Sequence, residues 1–581
     1  MATFTLLQKE VKGFRGVNLR ADRVSLADEQ VARAINADFH SQTGALVLRL
    51  GRSAQFAAAL SDLVIRRLAK INSTRYQVAG QSVYRAQSSI LSTLSTNLVT
   101  TLLPFRPLLD TTTWAFIADD AVMRKDDGTN VRTWGIAAPT ATPVVAVGAA
   151  GALTGDYSVK YTYARVVGTA VVHESNPSPA SNTAALTADA LAISGLTASA
   201  DPQVTHIRIY RTQADGEVYL FDQQIANGTT TATSTQADTA LLAAVETDNN
   251  VPPEASFAIE HQSHVFLLRD ADNPHYLWFS KRFRPESVPA ANFVEIGSPN
   301  DPVQAAATVG GLLGVFTRTT KHLILGNVTS GFVPQEATSK RGTPAWASVI
   351  GTERGIVFVG RDGIFLTTLI APDVELSDAI APLFYPDAGT VNDYARVNQD
   401  ALATAAAATF KGRLYVALPT GTSMTPDTVA VFSPDTGHWY FFSHPARSLF
   451  VEEDVDELAA GFADGFVYVL EDGTATGDAG SAIDLEIEKD GHGPGGFSVR
   501  HLYLYARIDA DTQGEDATVQ LYVDGTLKRT FTFNSARDKA LQKFPQESMG
   551  YHWRIRVTYS GTARVRVYGA AVLALPLTGG T

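Results

Sequence analysis

The chain has 581 residues, a formal net charge of −12 and no cysteine. That length exceeds what one hydrophobic core organises and implies roughly three or four domains. The missing thiols exclude a disulfide framework, a thiolate metal site and a cysteine nucleophile, and the acidic balance argues against a chain built as a sequence-specific DNA binder, although a mildly acidic wall can line a passage for nucleic acid by keeping a polyanion from sticking.

Apolar residues make up 45% of the chain and charged residues 18%, which places it among globular proteins. At the N-terminus, Met1-Ala2-Thr3-Phe4-Thr5-Leu6-Leu7 has no basic region followed by a long apolar run, so a Sec-type signal is not expected. No stretch of uninterrupted apolar residues is long enough for a membrane span. Residues 1–52 read as an extended arm. A turn-rich lead-in at Lys12-Gly13-Phe14-Arg15-Gly16-Val17-Asn18 precedes an expected short helix over 27–36, capped by Asp28 or Ser25, and then a turn and strand over 43–49.

Residues 53–138 alternate short strands and turns. Residues 75–80 and 82–85 form one expected hairpin; residues 114–118 and 121–125, closed by Asp127-Gly128, form another. The stretch Ala137-Ala138-Pro139-Thr140-Ala141-Thr142-Pro143 marks a boundary. Within residues 139–253, strands are expected at 155–163, 206–211 and 217–221, with a proline-rich loop at 174–182 that cannot be a central strand. Short alternating strands on that scale predict an immunoglobulin- or fibronectin-like sandwich.

After Pro252-Pro253 the hairpins return, over 254–477. Residues 264–269 turn through Asp270-Ala271-Asp272-Asn273-Pro274 into 276–280, and 355–360 turn at Asp362-Gly363 into 364–366. Residues 413–418 pair with 428–432, Asp435-Thr436-Gly437 leads into 438–442, and 458–462 turn at Asp464-Gly465 into 466–470. Equivalent hairpins recurring at roughly forty to fifty residues fit propeller blades, irregularly spaced and without a WD or kelch signature. The last segment, 478–581, carries expected strands at 483–488, 500–508, 518–523, 529–533, 552–559 and 563–568, with a hairpin turn at Asp524-Gly525. The expected fold is mainly β: an irregular β-propeller, an inserted fibronectin/immunoglobulin-like β-sandwich and a C-terminal jelly-roll-like β-sandwich.

Few residues stand out for chemistry. His261 and His264 begin a strand and lack an evident third ligand, so packing is expected of them. Asp270-Ala271-Asp272-Asn273 is half of a calcium loop, but the EF-hand Gly and Glu positions fall on His275 and Lys281, so a turn held by Asp and Asn side chains is expected. The densest charge run comprises Glu452, Glu453, Asp454, Asp456 and Glu457. It fits a solvated loop between blades, a channel wall that repels phosphates, or a divalent-cation site. Lys281-Arg282-Phe283-Arg284 and Lys340-Arg341 fit phosphate contact or salt bridges between subunits. Trp278, Trp346 and Trp439 fit blade cores or a sugar-stacking platform. There is no Gly-x-Ser-x-Gly elbow, no Walker loop and no dinucleotide fingerprint. Carboxylates are plentiful, but none is singled out as a glycosidase pair. No catalytic residue, cofactor or metal ligand is expected.

Gly16-Val17-Asn18-Leu19-Arg20, Leu26-Ala27-Asp28-Glu29-Gln30, Ile35-Asn36-Ala37-Asp38-Phe39 and Gly44-Ala45-Leu46 resemble the opening of phage tail nozzle, or tail tubular, proteins and of phage packaged-DNA stabilisation proteins. Asn273-Pro274-His275-Tyr276-Leu277-Trp278-Phe279-Ser280 resembles a blade hairpin of that group. Residues 155–163, with Asn176-Pro177-Ser178-Pro179 and 207–211, are similar to its inserted fibronectin-like module. The resemblance implies a virion tail component made in the host cytoplasm. It implies a homo-oligomeric ring, usually of six subunits, that contacts a tail adaptor and tail fibre or spike proteins. Such a ring continues the DNA channel, retains the packaged genome and lets it out at infection. Two other classes stay open on the residues: a propeller adhesin for host surface glycans, and a carbohydrate-active tail enzyme.

Overall fold

The computed structural model describes residues 7–40, 43–97, 99–387, 389–494, 496, 498–534 and 538–577. The first six residues of the N-terminal arm therefore lie outside the described residues. Strands dominate, and the helical segments among the described residues are short 3-10 turns. The protein is mainly β, of irregular propeller type, with an inserted sandwich and a C-terminal one. It forms two compact units: residues 69–337, and the described parts of 1–68 with 338–581.

The 69–337 unit holds blade-like four-stranded antiparallel meanders spanning 65–91, 101–133, 255–295 and 303–336, the unit boundary falling within the first strand of the first one. Several hairpins turn on two residues that both have positive φ, between 44° and 78°: Asn72-Ser73, Ala86-Gln87, Gln262-Ser263 and Gly310-Gly311 here, and Asn392-Asp393, Lys411-Gly412 and Asp524-Gly525 in the other unit. Turns of that hand match the right-handed twist of the flanking strands. Only Asp524-Gly525 combines this geometry with the Asp-Gly sequence; Asp362-Gly363 and Asp464-Gly465 turn by other routes. The expected closure of Trp114–Ala118 by Asp127-Gly128 is corrected. Trp114–Ala118 reaches Arg124–Asp126 through Asp119-Asp120, and Asp127-Gly128 closes the next turn, into Val131–Thr133. The Asp119 carboxylate organises the earlier turn, accepting from Ser95 N (2.8 Å), Ala121 N (3.1 Å) and Thr100 Oγ1 (2.7 Å).

The inserted sandwich packs a three-stranded sheet (Val144–Tyr157, Ala184–Ser194, Ala232–Ser234) on a four-stranded one (Ala170–Glu174, Val159–Val167, His206–Arg211, Leu220–Ala226). The single strand expected over 155–163 is two strands. The chain changes sheets at Ser158, with Tyr157 paired to Ala184 and Val159 paired to Arg211. Tyr157, Val159, Tyr161, Leu191 and Ile207 meet in the core. The strand expected at 217–221 begins later, at Leu220. The proline-rich loop forms no strand. Its serines Ser175, Ser178 and Ser181 replace ladder bonds, accepting through Oγ from the backbone N–H of Tyr163 (3.0 Å), Tyr161 (3.1 Å) and Val159 (2.9 Å). Three loop residues therefore match two strand residues, which lets Pro177 and Pro179 fall where no donor is needed.

In the other unit, blade-like sheets span 350–375 and 406–442, and a third joins Ser448–Glu452, Glu457–Gly461 and Val467–Asp472 to Gly51–Ala54 from the arm. The helix expected over 27–36 is not formed. Arg23–Ser25 is a 3-10 turn capped by Asp22, and Gln30–Val31 and Arg33–Ile35 are strands. Val31, Ala32 and Ala34 are fully buried, and Arg33–Ile35 pairs with Ile483–His492, so sheet pairing overrides the local helical preference. The C-terminal sandwich takes strands from the arm on both layers. Arg33–Ile35 extends the sheet of Ile483–His492, His552–Gly561, Ala517–Val523 and Thr526–Phe533, and continues it into the 406–442 blade. Ala37–His40, Ala45–Leu48 and Leu7–Lys12 add to the sheet of Arg500–Asp511 and Arg566–Leu577.

Candidate functional site

The densest chemistry lies where the arm meets the C-terminal sandwich. Successive strand residues face opposite sides, so Glu486, Glu488 and Asp490 of Ile483–His492 share one face. That face is matched by arginines: Arg33 lies 2.9 Å from Glu486, Arg556 lies 3.4 Å from Glu488, and Arg554 lies 2.8 Å from Asp490. Arg23, from the arm, inserts between Glu488, Asp490 (3.3 Å) and Asp393 (3.1 Å). On the opposite face, Lys489 donates to the backbone oxygens of Ala27 (2.8 Å) and Gln30 (2.7 Å). Burial pulls its ammonium down to about 8.

A second anchor is Arg49, whose side chain is fully buried. Nη1 and Nη2 clasp the Asp478 carboxylate at 2.8 and 2.7 Å, and Nε donates to Asn36 Oδ1 at 2.8 Å. Asn36 in turn donates to Asp484 O at 2.7 Å, so the arm, the last blade and the sandwich share one polar network. Beside Arg23 opens a groove of about 810 Å3, lined among others by Arg20, Asp22, Asp524, His552 and Arg554. At its edge His492 and His552 face each other, Nδ1 to Nδ1, at 3.0 Å. Burial, then the neighbouring His552, holds His492 below its ordinary value. Among the described residues no group of three His, Asp or Glu side chains is placed to hold a metal ion.

The acidic run singled out in the sequence is the tip of the last blade's hairpin. Glu452 is buried and accepts from Gln55 Nε2 at 2.7 Å, and Glu457 stands opposite it across the strand pair. Glu453, Asp454 and Asp456 are exposed in the turn, and Asp456 pairs with Lys411 at 3.1 Å. The run therefore divides between an internal bond and a solvated tip. The basic clusters are paired within the chain: Lys281 with Glu246 (3.0 Å) and Asp248, Arg284 with Glu246 (2.8 Å), and Arg341 with Asp362 (2.9 Å).

Trp439 is fully buried and donates to Leu376 O (2.9 Å), Trp278 donates to Asp270 Oδ2 (3.1 Å), and Arg67 stacks on Trp346. Trp439, being fully buried, offers no face on which a sugar could stack. His264 is buried and bonds Ser280 O through Nδ1 (2.7 Å), as packing requires. Asp270 holds its turn through Asp272 N (2.9 Å) and Asn273 Nδ2 (3.0 Å).

No family model matches the chain. No curated protein matches it either. Solved structures align at low identity. BamB from Moraxella catarrhalis is 11% identical with a TM-score of 0.27, covering 73% of this chain and 98% of that one. The dihydro-heme d1 dehydrogenase NirN is 10% identical with a TM-score of 0.25, covering 60% of this chain and 72% of its own. An exo-β-1,3-galactanase from Phanerochaete chrysosporium is 7% identical with a TM-score of 0.17, covering 74% of this chain and 99% of its own.

Sequence reasoning missed the arm anchors. Arg23, Arg33 and Arg49 are isolated arginines in the chain, and their carboxylate partners lie hundreds of residues away. The one local signal was the alternation Glu486-Ile487-Glu488 within a strand, which marks a charged face without naming its partner.

Proposed function

We propose that the chain is a structural subunit of a phage tail, a ring-forming nozzle or hub that continues the DNA channel, holds the packaged genome and lets it pass at infection. The observation that carries this reading is the arm. Two segments that resemble the opening of tail nozzle proteins, 35–39 and 44–46, enter the two sheets of the C-terminal sandwich, and Gly51–Ala54, which follows them, completes the last blade. A chain stitched in this way, with largely buried ion pairs such as Arg33 with Glu486 and Arg49 with Asp478 beside the joins, suits a rigid scaffold. Subunits contact each other and a tail adaptor, tail fibre or spike proteins, and the exposed acids Glu453 and Asp454 face the passage and repel phosphate, while Asp456 is offset by Lys411.

Negative-stain imaging of the purified chain, alone and with tail components, tests the reading. Closed rings of identical subunits that seat on the adaptor end support it. A chain that stays monomeric with all tail components present, and that is absent from purified virions, overturns it.

A further inference from the structure

We propose that the 69–337 unit carries a binding pocket for a small hydroxy-carboxylate, with Arg269 and Arg318 receiving the carboxylate and Asp120 and Ser256 receiving a neighbouring hydroxyl. The pocket, of about 180 Å3, opens beside the strand ends of three blade-like sheets and is lined by these four residues together with Asn97 and Gln304, among others. One water needs roughly 10–15 Å3 of such space, so the pocket holds far more than a single water and suits a molecule of several heavy atoms.

Four observations point to a ligand. Arg269 is largely sequestered, yet among the described residues it makes no ion pair; its Nη1 donates only to the neutral Gln304, at Oε1 (2.9 Å) and more weakly at the backbone oxygen (3.4 Å). Its Nε is buried without a partner. A guanidinium withdrawn from water needs an anion in contact. Burial pulls this one down to about 10; Asp120 partly offsets that and Arg318 adds to it. Second, Arg269, which lines the pocket, has φ +65°, a left-handed conformation that costs a non-glycine residue energy.

Third, two more groups at the pocket are buried and unpartnered: Asp120 Oδ1, whose other oxygen takes Asn97 Nδ2, and the hydroxyl of Ser256, a residue with no exposed surface. Fourth, the exposed Arg318 sits at the rim, held at its backbone by Asp301 (3.0 Å). Asp270 also lines the pocket, but its oxygens are engaged within its own turn. The unmet groups are thus one buried cation, one carboxylate oxygen and one hydroxyl, with the exposed Arg318 adding a second, solvated cation at the rim. A plain inorganic anion answers only the cations, and a neutral sugar only the other two. A uronic acid, or a small free hydroxy acid, answers both.

The test uses the full chain and isothermal titration with glucuronate, lactate, inorganic phosphate and methyl glucoside as separate probes. Saturable binding of glucuronate or lactate, with methyl glucoside inert and phosphate at least tenfold weaker, is expected. Tighter glucuronate than lactate identifies an acidic sugar as the source, and the reverse identifies a free hydroxy acid. Arg269→Met is expected to weaken binding by at least roughly tenfold, the cost of one charge-assisted hydrogen bond. Arg318→Ala, at an exposed side chain that folding does not need, is expected to weaken it several-fold and to make it less salt-sensitive. Phosphate binding as tight as the carboxylates, binding unchanged in Arg318→Ala, or no heat with any probe overturns the proposal.

Discussion

Replacing Arg49 by methionine keeps most of the side-chain volume and removes only the charge and its donors. In the structure the guanidinium makes two bonds to Asp478, one to Asn36 and one to the backbone oxygen of Leu50 at 2.9 Å. The Asp478 side chain is 12% exposed and Asn36 is 1% exposed, so neither recovers much hydration when Arg49 is lost. Leaving one member of a buried pair wholly without its partner costs about 3–5 kcal/mol, and because Asp478 keeps Arg52 at 3.4 Å the expected loss sits at the lower end, about 3 kcal/mol. For a folding unit of this size, that lowers the thermal midpoint by something on the order of 10 °C. The loss falls on the join between the arm and the last blade, because Gly51–Ala54 follows directly and pairs with Val467–Asp472. Differential scanning fluorimetry should therefore show the drop, and limited proteolysis should show new cleavage around residues 49–55. Removing Asp478 as well, as in R49M/D478L, should restore much of the loss. A midpoint for Arg49→Met within about 2 °C of the parent, with unchanged cleavage, would refute the idea that this pair holds the arm.

The other expectations follow from separate parts of the chain. Lys125 and Glu286 pair at 2.7 Å with both side chains almost wholly buried; K125M and E286Q should each cost about 3–5 kcal/mol in urea denaturation, and K125M/E286L far less than their sum, whereas additive losses would show that the pair is not coupled. Burial lowers His173 to about 4, below its ordinary 6.5. The unfolded chain takes up that proton first, so stability present above pH 6.5 is lost as pH falls toward 4, and His173→Gln should flatten that slope. Glu471 is pushed the other way, by burial first and then by Asp38, up to about 7. Its contribution falls as pH rises from 4.5 through 7, so Glu471→Gln should stabilise at pH 8 and do nothing at pH 4; equal effects at both would remove the assignment. At the acidic hairpin, Glu452→Ala should destabilise measurably by leaving Gln55 unpartnered, while Glu453→Ala should shift the midpoint by no more than about 1 °C.

The sequence alone determined the strand-rich character, most blade hairpins, the presence of an inserted sandwich and the proline-rich loop on it. These are local properties: alternation over five or six residues, a turn residue at the right offset, a proline that cannot donate. Its errors came where one local preference met a distant partner. Residues 27–36 have the composition of a short helix, but Ala34 is claimed by the strand at Ile487 and by the Tyr394 hydroxyl, which accepts from Ala34 N at 2.7 Å. The Asp-Gly pairs taken as turns do lie in turns, but Asp490-Gly491 runs within the strand Ile483–His492, and Asn72-Ser73 and Gln262-Ser263 make tight hairpins without that signature. Ion pairs such as Arg23 with Asp490, or Arg49 with Asp478, join residues more than four hundred positions apart. No spacing rule reaches that far. Only the tertiary structure brings an N-terminal arm against a C-terminal sandwich, because a strand's edge is satisfied by whichever segment the fold delivers to it.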